Sequence, residues 1–318
     1  MMPEEAAPLV VPMTAWLVLG AVVALGLVVD LLGHRGDRGR GRKSAVLWSA
    51  AWIGTALLFG VWVVLRFGRD AGEDYFSAFL VEKSLSVDNL FVFLLVFGRL
   101  RIPDTEQHRV LRWGIWGAFL TRGLFIAGGS ALLSAWHGVV YILGAFLIVT
   151  GIKTARDQGE TEKGEGKLLP FLRRHLPFTP ELRGSDFTVV EKGRRVATPL
   201  LLALLVIEIT DVLFAVDSIP AVFAITKEPF LVYSSNIFAL LGLRALYSVL
   251  ADLLADLRYL RYGLGAILVF AGAKMLTGDV LHIPRAASLL IIAGILTAVI
   301  VPSVVVRRRK SRTAPAPG

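Results

Sequence analysis

The chain contains no cysteine, which excludes disulfides and thiolate metal ligands. Histidine is scarce. His34, His108, His137, His175 and His282 lie at or near the ends of apolar runs or in one long polar segment, and no two stand four apart. The paired histidines of a zinc-binding helix are therefore missing. No glycine loop of the phosphate-cradling kind and no nucleophile–base pair occurs, so no enzyme is expected, nor a prosthetic group. The roughly ten-residue alternation of a membrane β-barrel is absent too. The first apolar run, from Leu9 to Leu32, follows Glu4 and Glu5 rather than a basic leader, so a cleavable signal peptide is not expected.

What is present is apolar surface in blocks. Of the 318 residues, 55% are hydrophobic, and the charged residues gather between apolar runs of about 20 residues, the length a helix needs to cross roughly 30 Å of hydrocarbon. Backbone groups in lipid must be satisfied within their own segment, so helices are the expected solution. Nine spans are predicted, at 9–32, 45–66, 75–98, 113–134, 137–153, 197–225, 230–250, 261–277 and 285–306. The fold class is thus an all-α polytopic bundle, a single transmembrane domain over 1–318. If 33–44 is cytoplasmic, alternation puts 25 of the 34 basic residues on that face and four on the other. This asymmetry predicts a multi-pass protein of the inner (plasma) membrane, N-terminus outside and C-terminus in the cytoplasm. The net charge of +9 lies beside the spans, so the partner it implies is the lipid bilayer and not nucleic acid. Trp and Tyr at span ends (Tyr75, Trp113, Trp116, Trp136, Tyr233) read as an interfacial belt.

The cytoplasmic loop 154–196 is the one sizeable polar segment. Its start, Arg156 to Lys167, is charged and glycine-rich and reads as linker. A short hairpin is predicted around Gly193. On either side of this loop the chain repeats itself. Asp88 is followed by Arg122 and Lys153, at spacings of 34 and 31; Asp217 is followed by Arg244 and Lys274, at 27 and 30. Glu82 and Asp211 each stand six residues before their aspartate. Each copy, about 75–153 and 197–277, holds three spans, an odd number, so the second enters from the opposite face. Such inverted repeats place transport sites near the midplane, between the copies.

Two spans carry most of the embedded acid. Glu82, Asp88 and Asn89 lie in 75–98; Glu208, Asp211, Asp217 and Ser218 lie in 197–225. Each carboxylate at mid-bilayer costs about 2.5–3.5 kcal/mol, so the five need a polar interior, a counter-charge or an ion. Lys83, Arg122 and Arg244 are the candidate counter-ions or gating residues; Lys153 and Lys274, at span ends, are expected to snorkel. Carboxylates, an amide and a hydroxyl make an all-oxygen donor set, suited to Mn²⁺, Mg²⁺ or Ca²⁺. By the helical period Glu82, Ser86 and Asn89 share a stripe, and Glu208 shares a face with Asp211, whereas Asp217 opposes Glu208 on an unbroken helix. Pro220 cannot bond to the Val216 carbonyl, so a kink or unwinding at 216–220 is expected.

The runs EKSLSVDNLF (82–91), EITDVLFAVDSIPAVFAIT (208–226) and SNIFALLGLRALY (235–247) resemble those of the TerC family of membrane proteins, named for tellurium resistance and grouped with LysE-like exporters. The resemblance implies efflux of a divalent metal cation, Mn²⁺ first, possibly by proton antiport. It assigns that work to Glu82, Asp88, Glu208, Asp211 and Asp217, with Asn89 and Ser218 as polar neighbours. The alternative it leaves is a non-transporting scaffold in tellurite or stress resistance or in membrane-protein assembly, recruiting partners through the 154–196 loop.

Overall fold

The apolar blocks form helices, and their register is set by where charge, proline and glycine interrupt them. The computed structural model describes residues 9–33, 42–136, 138–156, 160–191, 193–243, 246–247, 260–278, 280 and 283–313. Within them run α1 (Met13–Gly33), α2 (Arg42–Phe67), α3 (Arg69–Leu100), α4 (Asp104–Ala135), α5 (Val139–Arg156), α6 (Glu160–His175), β1 (Thr188–Glu191), β2 (Arg194–Ala197), α7 (Pro199–Phe223), α8 (Pro229–Leu240), α9 (Leu260–Thr277) and α10 (Arg285–Thr313). Among the described residues α2, α4, α5 and α7 are long and apolar enough to cross a membrane, and shorter apolar stretches lie in α1, α8, α9 and α10. α3 carries too much charge to read as a simple span, which anticipates its role.

Large apolar side chains cover much of the exterior, and several polar ones are buried inside. Leu17, Leu47, Leu58, Leu120, Leu124, Leu213 and Leu290 are exposed, while Ser77, Glu82, Asn89, Arg122, Asp211, Ser218 and Asn236 are buried. In lipid, apolar side chains have no reason to hide, and polar ones do. Trp113, Trp116 and Trp136 are exposed, as a belt requires. Tyr75 is not part of it. It is fully buried and donates its hydroxyl to the Ala56 carbonyl oxygen at 3.0 Å, inside an aromatic cluster with Phe59 and Phe79.

Contacts between the two expected triplets, α3–α5 and α7–α9, are reciprocal. α3 packs on α8 and α7 on α4; α3 and α7 pack on each other, and so, most extensively, do α5 and α9. Glycines govern that last pair. A Cβ built on Gly144 or Gly272 would lie 3.1 or 2.5 Å from the carbonyl oxygen of the other, and one on Gly151 or Gly265 would lie 2.7 or 2.6 Å from its opposite number. Bare backbone meets bare backbone, the close approach that small residues permit between membrane helices. At one end of the bundle Arg285, the first residue of α10, bonds to Asp70 at 2.6 Å and Asp74 at 3.2 Å, fastening α10 to the start of α3.

Two expectations about local structure are corrected. The unwinding expected at 216–220 does not occur: α7 stays helical from Pro199 to Phe223 with Pro220 inside it. Proline withdraws a single hydrogen bond, and burial of Ile219 to Phe223 holds the helix in place. The interruption falls in the next span instead. α8 ends at Leu240, Leu241 is extended, Gly242 takes φ +84°, and Leu246 N–H then bonds to the Gly242 carbonyl oxygen. Only glycine fits there: its φ is left-handed, and a Cβ would meet the Trp52 side chain at 2.7 Å. The second correction concerns the segment read as linker, where α6 begins at Glu160. Its Leu169 and Leu172 join a core cluster with Leu200, Val206 and Leu240. The hairpin near Gly193 forms as expected, with Glu191 opposite Arg194. Thr198 secures it to the start of α7, its hydroxyl donating to the Asp186 carbonyl oxygen at 2.7 Å.

Candidate functional site

Three helices bring charge together at mid-span. Asp211 is the thirteenth of the 25 residues of α7, and Glu82 and Arg122 lie well inside α3 and α4. Arg122 Nη1 donates to Glu82 Oε2 at 2.7 Å, Nη2 to Asp211 Oδ1 at 3.1 Å and Nε to Asp211 Oδ2 at 3.5 Å. The guanidinium thus forks onto one carboxylate and reaches a second, a geometry that suits its planar donors. Asn89 Nδ2 adds a fourth bond, to Asp211 Oδ1 at 3.2 Å. Relative exposure is 2% for Arg122, 1% for Glu82, 3% for Asn89 and 6% for Asp211, so water screens none of these charges to a useful degree.

Glu82, Ser86 and Asn89 lie one helical turn apart on α3, and Asp211 and Ser218 lie two turns apart on α7. Several oxygens on these stripes have no hydrogen-bond partner despite being buried: Glu82 Oε1, Ser86 Oγ and Ser218 Oγ. Each is an acceptor of the hard kind that a metal cation takes. Among the described residues no three Asp, Glu or His side chains converge as a ready metal cage. The guanidinium of Arg122 bridges the carboxylates of Glu82 and Asp211.

Glu208 is half-buried and outside the Arg122 network. Its carboxylate lies against the α4 backbone at Gly117, where a side-chain methyl would overlap it, and the like charge of Asp211 is its electrostatic neighbour. A Gly117→Ala substitution is therefore expected to displace the Glu208 carboxylate while leaving the fold intact. The check is the protein's abundance and melting temperature in the membrane fraction; a marked fall in either would show that the Glu208 side chain cannot move aside.

Asp217 is half-buried, and the charge of Lys153 acts on it. Lys274 similarly interacts with Asp74 and Arg285. Lys153 is exposed near the end of α5, where a snorkelling lysine is expected. The side chain of Asp88, and Arg244 altogether, lie outside the described residues. Lys83 takes a place that spacing did not suggest: Nζ donates to the Ala239 carbonyl oxygen at 3.1 Å. Ala239 precedes the interruption of α8, where carbonyls lose their helical partners and the helix dipole is negative. A Lys83→Met variant would leave that carbonyl unpaired and is expected to cost about 1.5–3 kcal/mol, the worth of a charged hydrogen bond. Thermal melting in detergent measures it; an unchanged melting temperature would mean that the contact contributes nothing. Neither the Gly117 niche nor the Lys83 contact has a one-dimensional signature, since each joins distant segments through backbone.

An apolar exterior wrapped around buried, mutually paired charge at helix middles defines a multi-pass integral membrane protein organised about a polar centre. Sequence comparisons agree and go further. The family model described as "Integral membrane protein TerC family" matches residues 67–311. Similar relatives include an "Uncharacterized membrane protein STKORF319" of Myxococcus xanthus, 46% identical over 302 residues that cover 94% of this chain and 93% of the relative. A "Putative membrane-bound redox modulator Alx" of Escherichia coli (strain K12) is 43% identical over 292 residues, 88% and 91% of the two chains. A membrane protein of Rickettsia felis is 36% identical, over 92% and 97%. No solved structure matches. The chain belongs to the TerC family of integral membrane proteins.

Proposed function

We propose that this protein exports a divalent metal cation, Mn²⁺ in the first instance, in exchange for protons. The observation that carries the reading is the meeting of Glu82 and Asp211, from two different helices, at a buried mid-helix position. Acid placed there is costly to keep and marks an ion path far more readily than a structural strut. The donors on the two stripes are all oxygen, which favours Mn²⁺, Mg²⁺ or Ca²⁺ over copper or zinc. The two triplets act as inverted repeats, with the site between α3 and α7; the reciprocal helix contacts support this arrangement. The interruption after α8 resembles the discontinuous helices of transporters, and Lys83 of α3 bonds to the Ala239 carbonyl oxygen there. The protein sits in the inner membrane with its N-terminus outside and its C-terminus in the cytoplasm, the orientation its basic loops favour.

The relatives' name speaks of redox modulation. This chain brings no thiol to such a role, and an influence through the metal content of the cell is compatible with the proposed export. As for a scaffold, α6 and the hairpin pack onto the bundle and tie back to α7, which suits a structural element of a carrier. Uptake of Mn²⁺ into inside-out vesicles overproducing the protein, with and without an imposed pH gradient, tests the proposal. Gradient-driven accumulation supports it, and vesicles that behave like those lacking the protein reject it.

A further inference from the structure

We infer that Arg122 is a built-in competitor for the transported cation: its guanidinium occupies the cation's position between Glu82 and Asp211 and must leave before metal can bind. The inference rests on the proposed metal-export reading and specifies how the empty site is held. Three observations carry it. The first is place. A single side chain, 2% exposed, bonds to acids on two separate helices, so it fills the gap that a shared ion would fill. The second is charge. Two carboxylates share a single guanidinium, so the buried cluster keeps one uncompensated negative charge, which draws a cation toward it. The third is unsatisfied valence. Arg122 uses Nε, Nη1 and Nη2 on the acids, yet Glu82 Oε1, and Ser86 Oγ and Ser218 Oγ on the same helix stripes, are buried without partners. A guanidinium offers donors in one plane; a cation of six or more oxygen ligands gathers them from all sides.

The arrangement also gives the empty carrier a defined resting state. With Arg122 in place, Glu82 and Asp211 do not repel each other, and neither is free to pick up a monovalent ion in passing.

The test is Mn²⁺ binding to purified protein in nanodiscs, followed by loss of the free-Mn²⁺ paramagnetic signal, for the parent, Arg122→Gln, Arg122→Lys and the charge-balanced pair Glu82→Gln with Arg122→Gln. Arg122→Gln is expected to bind Mn²⁺ at least about tenfold more tightly than the parent, and to gain more thermal stability on adding Mn²⁺. Arg122→Lys should fall between them, because an ammonium keeps the charge but loses the fork. The balanced pair should lose the gain. Parent binding with equal or weaker affinity in Arg122→Gln overturns the competitor while leaving metal export standing. If Arg122→Gln does not fold even with Mn²⁺ present, the lysine variant decides, and affinity equal to the parent's overturns the inference. Absence of binding by the parent and by every variant overturns both the inference and the reading beneath it.

Discussion

Asp211→Asn is expected to abolish metal efflux while leaving the protein folded and inserted. The sign follows from the charges that remain. Without the Asp211 carboxylate, Arg122 still pairs with Glu82 at 2.7 Å, and the network passes from net negative to neutral. Arg122 keeps Glu82 as a partner but loses its buried contact with Asp211, so a loss of stability short of unfolding is expected. In the proposed carrier, however, the cation loses one of the two carboxylates that meet at the centre. Removing one partner of a buried charged contact costs about 2–5 kcal/mol, roughly 30-fold to several thousand-fold in affinity. Intracellular Mn²⁺ should therefore rise to the level of cells lacking the protein, at parental protein abundance. Loss of abundance together with activity would point instead to a structural salt bridge. Sustained efflux would remove Asp211 from the path.

The largest effect on folding is expected at the seam between α5 and α9. Gly151→Leu would put a branched side chain where a Cβ alone comes within 2.7 Å of the Gly265 carbonyl oxygen and 2.9 Å of the Val269 nitrogen. Both obstacles are backbone and cannot rotate away. Overpacking by a methylene or two costs about 1–3 kcal/mol; a leucine between two touching backbones exceeds that and forces the helices apart. Gly54→Leu is the control, since nothing lies within 4 Å of its Cβ position. Fluorescence-detected gel filtration of the two variants should show monodisperse protein for Gly54→Leu and aggregated or absent protein for Gly151→Leu. Equal profiles would mean that the seam yields more readily than close packing allows.

How much of this could be read from residues alone depended on whether period or partnership decided each feature. The spans were readable, because lipid imposes a length and an apolar composition on each crossing. The stripe of Glu82, Ser86 and Asn89 was readable from the helical period, and Arg122 as a counter-ion from the cost of leaving embedded charge unpaired. Its choice of Glu82 and Asp211 together was not, since spacing says nothing of which helices meet. The discontinuity was expected at Pro220 and found at Leu241–Gly242. A proline breaks a rule of the local chain, whereas Gly242 is demanded by Trp52, 190 positions away in sequence. α6 was missed for the opposite reason: its glycines and charges read as linker, and only the burial of Leu169 and Leu172 against the bundle makes a helix worth forming.

The most direct test of the central claim, that acids from α3 and α7 share one cation in mid-membrane, is metal-resolved uptake into proteoliposomes. Parent protein, Glu82→Gln and Asp211→Asn would be reconstituted at equal density, with and without a pH gradient. Gradient-dependent Mn²⁺ movement by the parent and none by either variant is the predicted result. Equal movement by all three would leave the buried carboxylates without the role assigned to them.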